Sequence, residues 1–125
     1  MADAPGGPQL DLGATVTESQ RLLDHGAMEE AGVLLASTAR DAPAEELELW
    51  QGLALLIEGL TQAARGETAA ATFALRRGRD LIGPYEDRPP HALDVSGLLG
   101  WSTHLVDELA APDRPAPPVP RLRLP

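Results

Sequence analysis

One long apolar segment, Asp41 to Arg65, constrains the fold more than any other part of the 125-residue chain. Pro43 suits the first turn of a helix, acidic residues follow it, and Gly66 suits a helix C-terminus. Apolar residues recur within the segment at three- and four-residue spacing, which predicts one continuous apolar stripe. They are Leu49, Trp50, Leu53, Leu56, Ile57, Leu60 and Ala64. We therefore predict a central core helix, capped by Asp41 and covered by other helices on more than one side.

Two helices are predicted before the central one. Thr15 and Glu18 have the spacing of a capping box, so the first helix is expected to begin there. The second is expected to run from about Met28 to Ala39, because the residue before Pro43 is driven out of helical geometry. Residues 1–13 are rich in Gly and Pro and carry few apolar side chains, which predicts a flexible lead-in.

Two more helices are predicted after the central one. The first, from about Glu67 to Ile82, presents small residues to small residues of the central helix, so the two are expected to pack closely and antiparallel. Asp94 is a good N-cap for a last helix, Val95 to Ala110. Residues 112–125 are rich in Pro and are expected to form an extended, mobile tail.

The fold class that follows is all-α, with a single antiparallel bundle of about five helices over residues 14–111. The predicted core consists of large apolar side chains, namely Trp50, Leu53, Ile57, Leu60, Phe73, Leu81, Leu98 and Trp101. Gly26–Leu35 and Gly66–Leu75 share Gly, Ala and Leu at the same offsets, so tetratricopeptide-like hairpins are a looser description. The offset of 40 residues between Gly26 and Gly66 differs from the 34 or so of that repeat.

Composition excludes several classes of function. The chain has no Cys, so disulfides, thiolate zinc sites and Cys nucleophiles are ruled out. A net charge of −9 opposes binding to nucleic acid or to anionic membranes. No basic region followed by an apolar run begins the sequence, and the central stretch carries Glu58, so neither a secretory signal nor a membrane span is expected. These features predict a soluble cytoplasmic protein.

Glu58 is the first candidate site residue, because it lies among apolar neighbours on the central helix. A carboxylate that faces a packed bundle needs a partner or a proton, whereas one at the solvent edge needs neither. The second interpretation is favoured here. Gln51 and Gln62 lie on neighbouring turns, so a polar ligand-binding patch with Glu58 would require a wet side of the helix.

Three further features are candidates of a weaker kind. His104 and Glu108 are four residues apart on a helix and resemble half a metal site, but no second pair completes it, so neither a metal nor a cofactor is predicted. Arg76, Arg77 and Arg79 form the basic cluster, which suits an acidic partner but also an ordinary solvated face. Trp101 is expected to be a core anchor, or a contact surface if it is exposed.

The central pattern resembles the small all-helical family catalogued as domain of unknown function 309, over about Thr17 to Leu109. The matching stretches are LWQGLA from Leu49, GLT from Gly59, ARG from Ala64, LRRG from Leu75 and HALDVSGL from His91. The resemblance implies a compact helical bundle and no assigned activity. The family's His-Glu-x-x-Glu stretch would align with residues 32–36, where none of those polar residues occurs, and its usual His and Asn are Gln62 and Glu67 here.

The chain resembles the family in its helical pattern but lacks the family's polar motif, which argues against an enzyme. The first hypothesis is therefore a non-enzymatic interaction or scaffolding module that binds a protein partner or a second copy of itself. A small enzyme or ligand-binding bundle that uses Gln51, Glu58, Gln62 and His104 is the second hypothesis. A tetratricopeptide-like peptide binder, which requires a concave groove lined by the first helices of two hairpins, is the third.

Overall fold

A computed structural model describes residues 11–111 and 117–123 of the chain. Its five helices are α1 (Leu12–Asp24), α2 (Met28–Asp41), α3 (Leu47–Ala64), α4 (Thr68–Ile82) and α5 (Val95–Leu109). Short 3-10 turns occupy Ala44–Glu46, Gly83–Tyr85 and Pro90–Ala92. The predicted all-α bundle of about five helices is confirmed. Within the described ranges, no helix combines the length and the hydropathy needed to cross a bilayer.

The first two hairpins, α1–α2 and α3–α4, close through turns of the same geometry. Gly26 and Gly66 have φ angles of 80° and 78°, in the left-handed region that glycine adopts without steric strain. In the first turn the Ala27 amide donates to the Leu22 carbonyl at 2.8 Å. In the second the Glu67 amide donates to the Gln62 carbonyl at 2.9 Å. The shared offsets in the sequence therefore correspond to two hairpins with the same closing turn.

Helices α3 and α4 make the closest backbone contact of the fold. A Cβ atom added at Gly52 would lie 2.6 Å from Ile82 Cγ2 and 2.9 Å from the carbonyl oxygen of Gly78. One added at Gly78 would lie 2.8 Å from the carbonyl oxygen of Gly52. At Gly59 it would lie 2.7 Å from the Leu75 side chain. The predicted close antiparallel packing is confirmed, and it depends on glycine at these positions.

The core contains all but three of the side chains predicted for it. Phe73 is 72% exposed, because the buried face of α4 is formed by Ala71 and Leu75, and residue 73 lies about 200° around the helix from each of them. Leu81 is half-buried on a groove, and Trp101 is half-buried at the edge of the core. The buried face of α3 contains six residues of its predicted stripe, each at most 1% exposed, namely Leu49, Trp50, Leu53, Leu56, Ile57 and Leu60, whereas Ala64 is exposed and Ala63 is buried in its place.

The predicted start of the central helix is wrong. Asp41 ends α2 and does not cap α3, which begins at Leu47 after the 3-10 turn. Pro43 holds Ala42 in an extended conformation with ψ of 155°, so the chain leaves helical geometry there. The acidic residues that were expected in the first helical turn therefore lie mainly in the connection.

The predicted start of α1 is also wrong. Asp11 is the N-cap, and its Oδ1 accepts a hydrogen bond from the Ala14 amide at 3.0 Å. Thr15 lies inside the helix, and Glu18 pairs with Arg21 at 2.6 Å and does not close a capping box. Residues 11–13 thus belong to the helical domain, while the rest of the predicted lead-in, residues 1–10, lies outside the described residues.

Beyond α5, residues 117–123 are packed against the bundle, which contradicts a mobile tail over this stretch. We call them the anchored segment. Leu122 is 1% exposed and belongs to the main core, and its carbonyl accepts a hydrogen bond from the Asp94 amide at 2.7 Å. The periodicity of the sequence gives no sign of this contact, because the segment carries a single buried leucine in an extended stretch. The remaining tail residues, 112–116 and 124–125, lie outside the described residues.

Candidate binding groove

A groove of about 780 Å³ runs along the outward side of α3. Helix α3 forms the floor, α2 one wall and α4 the other. The small residues on one face of α3 bring α4 close to it. Helix α2 packs less tightly, because a Cβ atom added at Gly32 would still lie 3.7 Å from Cγ2 of Ile57, an ordinary contact distance. Neighbouring helices therefore cover only part of the α3 surface.

The lining combines apolar side chains with amide and charged ones, and Glu58 lies on the floor itself. Leu47, Ala54 and Leu55 form the apolar part of the floor. Val33, which is 69% exposed, and Leu81 add apolar surface from the two walls. Leu47 is itself 38% exposed. An exposed apolar patch enclosed by polar residues is typical of a surface that binds another molecule.

Five charged residues line the groove, with one more cation than anion in a chain whose net charge is −9. Glu29 of α2 and Arg65 of α3 form an ion pair that joins the start of one helix to the end of the other. Arg40 and Arg77 are exposed and form no ion pair or hydrogen bond with another residue of the described chain. Both arginines are therefore available to an acidic group.

Three of the four predicted ligand-binding residues lie in this groove. Gln51 and Glu58 are exposed, so Glu58 occupies the solvent edge that the sequence favoured. Gln62 is half-buried, and its Oε1 is buried without a hydrogen-bond partner within the described chain. An unpaired buried acceptor costs free energy until a donor reaches it. This groove is the solvent-exposed side of α3 that a polar patch of Gln51, Glu58 and Gln62 requires.

His104 does not join the other three residues. Its side chain is 70% exposed on α5, and its Nε2 lies 3.4 Å from Glu108 Oε2. The described residues contain no cluster of three His, Asp or Glu side chains with metal-binding geometry. His104 and Glu108 therefore form an isolated surface pair on another part of the bundle.

The predicted interaction residues point in different directions. Arg77 lines the groove, whereas Arg76 is exposed beside Phe73 on the outer side of α4. Arg79 Nη1 donates to Thr103 Oγ1 at 3.1 Å and connects α4 to α5. Trp101 is covered by the anchored segment, because its indole N–H donates to the Pro118 carbonyl at 2.9 Å. Arg76 and Arg77 thus lie together beside Phe73, whereas Arg79 is directed towards α5 and does not belong to the same patch.

A polar cluster that the sequence did not predict joins the connections before α3 and α5. Glu46 Oε1 accepts from Trp50 Nε1 at 3.1 Å and lies 2.7 Å from His91 Nε2. The rings of Trp50 and His91 are 5.8 Å apart. His91 was expected only at a capping junction, and Asp94 is indeed the cap, since its Oδ1 accepts from the Gly97 amide at 3.0 Å. The cluster lies apart from the groove.

Two charged residues of α1 have shifted pKa values. A hydrogen bond from Arg21 holds the pKa of the Glu18 carboxyl below its usual value, and the same contact raises the pKa of Arg21. Both side chains are about half exposed and lie outside the groove. The shift therefore reflects a local surface ion pair and does not mark a site.

Sequence reasoning missed most of the groove lining, including Gly32, Val33, Arg40 and Leu47. Val33 carried a usable signal, because it falls outside the apolar stripe of α2 and yet is apolar. The other residues become part of a site only once α2 and α4 are placed on either side of α3. No known family profile matches the chain, and neither a curated protein nor a solved structure is significantly similar to it.

Proposed function

We propose that this protein is a non-enzymatic interaction module that binds an amphipathic helix of a partner protein in the α2–α3–α4 groove. The observation that carries the proposal is the combination of apolar side chains that line the groove, Leu47, Leu55 and Val33, with two cationic ones, Arg40 and Arg77, that have no partner in the described chain. A helix laid in such a groove buries its apolar face and pairs its flanking charges with the walls.

The lining specifies the chemistry of the partner. Leu47, Leu55 and Val33 favour an apolar stripe, and Arg40 and Arg77 favour carboxylates beside that stripe. A hydrogen-bond donor on the partner would reach the exposed carboxylate of Glu58 on the groove floor. An acidic amphipathic helix with such a donor meets all three requirements.

The test uses two synthetic helical peptides with the same Leu and Ala face, one flanked by Glu and the other by Lys. Isothermal titration of each peptide into the full chain is expected to show binding of the Glu peptide and about tenfold weaker binding of the Lys peptide, because like charges across an interface are repulsive. Equal affinity for both peptides, or no binding of either, would contradict the proposal.

Charge reversal locates the binding site. The Arg40→Glu, Arg77→Glu double variant is expected to exchange the preference, so that the Lys peptide binds more tightly. Arg76→Glu is the matched control, since Arg76 neighbours Arg77 but lies outside the groove. A preference that changes equally with the control would place the binding site elsewhere.

The wider setting is also part of the proposal. A net charge of −9 makes a protein a more suitable partner than a nucleic acid or an anionic membrane, and we propose a cytoplasmic location. The resemblance to the domain of unknown function 309 remains a proposal as well and adds no activity. Turnover of a small substrate that is abolished by Glu58→Gln or His104→Ala would overturn the non-enzymatic assignment.

A further inference from the structure

The anchored segment occupies a cleft between α1 and the loop that precedes α5. Two backbone groups of the segment bind one side chain of α1, because Gln20 Nε2 donates to the Pro120 carbonyl at 3.2 Å and Gln20 Oε1 accepts from the Leu122 amide at 2.8 Å. On the opposite side, the Asp94 amide donates to the Leu122 carbonyl at 2.7 Å. Both backbone polar groups of Leu122 are thus paired, while its side chain enters the core.

Arg123 adds a second level of recognition. Its Nε donates to the His91 carbonyl at 3.0 Å, its Nη1 to Thr17 Oγ1 at 3.0 Å and its Nη2 to the Gly13 carbonyl at 2.9 Å. The planar guanidinium therefore joins α1 to the loop. Arg121 pairs with Asp24 at 3.1 Å, which adds a contact at the rim.

This arrangement is that of a bound peptide. Main-chain hydrogen bonds to an extended strand provide affinity, and pockets for particular side chains provide specificity. Here the pockets select Leu at 122 and Arg at 123. None of these contacts depends on the covalent connection of the segment to α5, since every one is a hydrogen bond, an ion pair or apolar burial.

We propose that this cleft is a peptide-binding site that accepts the anchored segment of a second copy of the chain in place of its own. A second copy carries the same Leu122 and Arg123 and can therefore make the same contacts in trans, which is the physical basis of segment exchange between protomers. Arg121 and Arg123 make the same contacts with Asp24, Thr17 and the His91 carbonyl whether the segment comes from the same chain or from a second copy. The covalently attached segment competes at an effective concentration of about millimolar.

The experiment separates donor from acceptor in full-length chains. The first variant, Leu122→Asp, keeps the cleft but has a defective segment. The second variant, Thr17→Arg with Gln20→Ala, keeps the segment but has a defective cleft. The double change removes both Gln20 contacts and places a like charge against Arg123. Native mass spectrometry of the mixture, with one variant isotope-labelled, distinguishes a heterodimer from either homodimer.

A heterodimer at twice the 13.2 kDa of one chain is expected in the mixture, at least tenfold above the dimers of either variant alone. Adding Arg123→Glu to the second variant is expected to abolish it. A mixture that stays monomeric at about millimolar chain, the scale on which the attached segment competes, would overturn the proposal. Equal dimer levels in the separate variants would overturn it too, because neither variant can both donate and accept.

A second segment variant guards against loss of the fold. If Leu122→Asp lowers the helical circular dichroism of the chain, Arg123→Glu replaces it, since Arg123 is only half-buried and lies at the edge of the cleft. The same heterodimer is then expected with the cleft-defective partner. Its absence, with the helical signal of both chains retained, would reject the site.

Discussion

The α3–α4 interface and the docking of the anchored segment hold the molecule together in opposite ways. At the first, Gly52 and Gly78 bring two backbones into contact, and the packed surface is apolar and dry. At the second, hydrogen bonds from Gln20, Asp94 and Arg123 hold an extended strand around one buried leucine. The first region joins two consecutive helices, whereas the second joins the segment both to the loop before α5 and to α1, which is about a hundred positions away in sequence.

The two regions are expected to differ in the substitutions that they tolerate. Close-packed glycines leave no space for added atoms, so the interface is sensitive to any added bulk. A segment held by directional polar contacts can detach as a unit, so any single loss there is limited to the free energy of docking. Substitutions that probe bulk, burial and hydrogen bonding in turn should therefore separate the two regions.

Among the substitutions at the two contacts themselves, the largest effect is expected for Gly52→Ala. The added methyl group would meet the Gly78 carbonyl, a backbone atom that cannot move independently, and we expect a loss of about 3 kcal/mol in the free energy of unfolding. Gly32→Ala is the matched control, since its Cβ would lie at ordinary contact distance and should stabilise α2 by up to about 1 kcal/mol. Urea denaturation measures both, and equal effects would refute the importance of the glycine contact.

A smaller loss is expected for Leu122→Ala. Truncation of a buried leucine costs about 2–5 kcal/mol, and detachment of the segment should keep this loss near 2 kcal/mol. Leu60 lies in α3, which cannot detach separately from the bundle, so the loss of stability in Leu60→Ala is expected near the upper end of this range. If the two variants lose equal stability in urea, the anchored segment is as integral to the fold as the central helix.

Arg123→Ala sharpens the comparison further. The loss of three hydrogen bonds at a half-buried site is expected to cost about 1 kcal/mol, and its effect should be local. Hydrogen exchange is expected to accelerate at the Asp94 amide, which donates to Leu122, while the amide of Leu53 keeps its protection. Arg76→Ala, at an exposed position without a described partner, should change neither rate.

The smallest effect is expected from the Glu18–Arg21 pair. Because the pKa of Glu18 is lowered in the folded chain, the pair contributes its stability above the usual pKa of a glutamate and loses it as the pH falls through the lowered value. Carbon-detected NMR titration of Glu18 is expected to show a midpoint below the usual value. Arg21→Ala should return it to that value, and a midpoint that does not move would assign the shift to another cause.

The same contrast explains how much the sequence could predict. The burial of Leu53, Ile57 and Leu60 follows from their spacing on one helix, and the two hairpin turns follow from Gly26 and Gly66. Phe73 was misplaced because size was weighed above angular position on α4. Asp41 was misplaced because its cap role and the end of α2 compete for the same residue.

The groove and the docked segment were beyond such reasoning for a physical reason. Periodicity reports which face of a helix is buried, but it does not report which helices leave an opening between them. The cleft that receives Leu122 is formed by α1 and by the backbone at His91, whose φ of 59° no pattern in the sequence indicates. Glu58 could be placed at the solvent edge, but its neighbours in the groove could not.

The glycine contact also has a mechanical consequence. Gly52 and Gly78 bring the backbones of α3 and α4 into direct contact. The floor of the groove and one of its walls are therefore expected to behave as one rigid unit. The other wall, α2, is connected to α3 through residues 42–46, and at Gly32 it packs against Ile57 of α3 at an ordinary contact distance. Of the two walls, α2 therefore has the looser contact with the floor, and we expect occupants of different thickness to shift α2 and not α4.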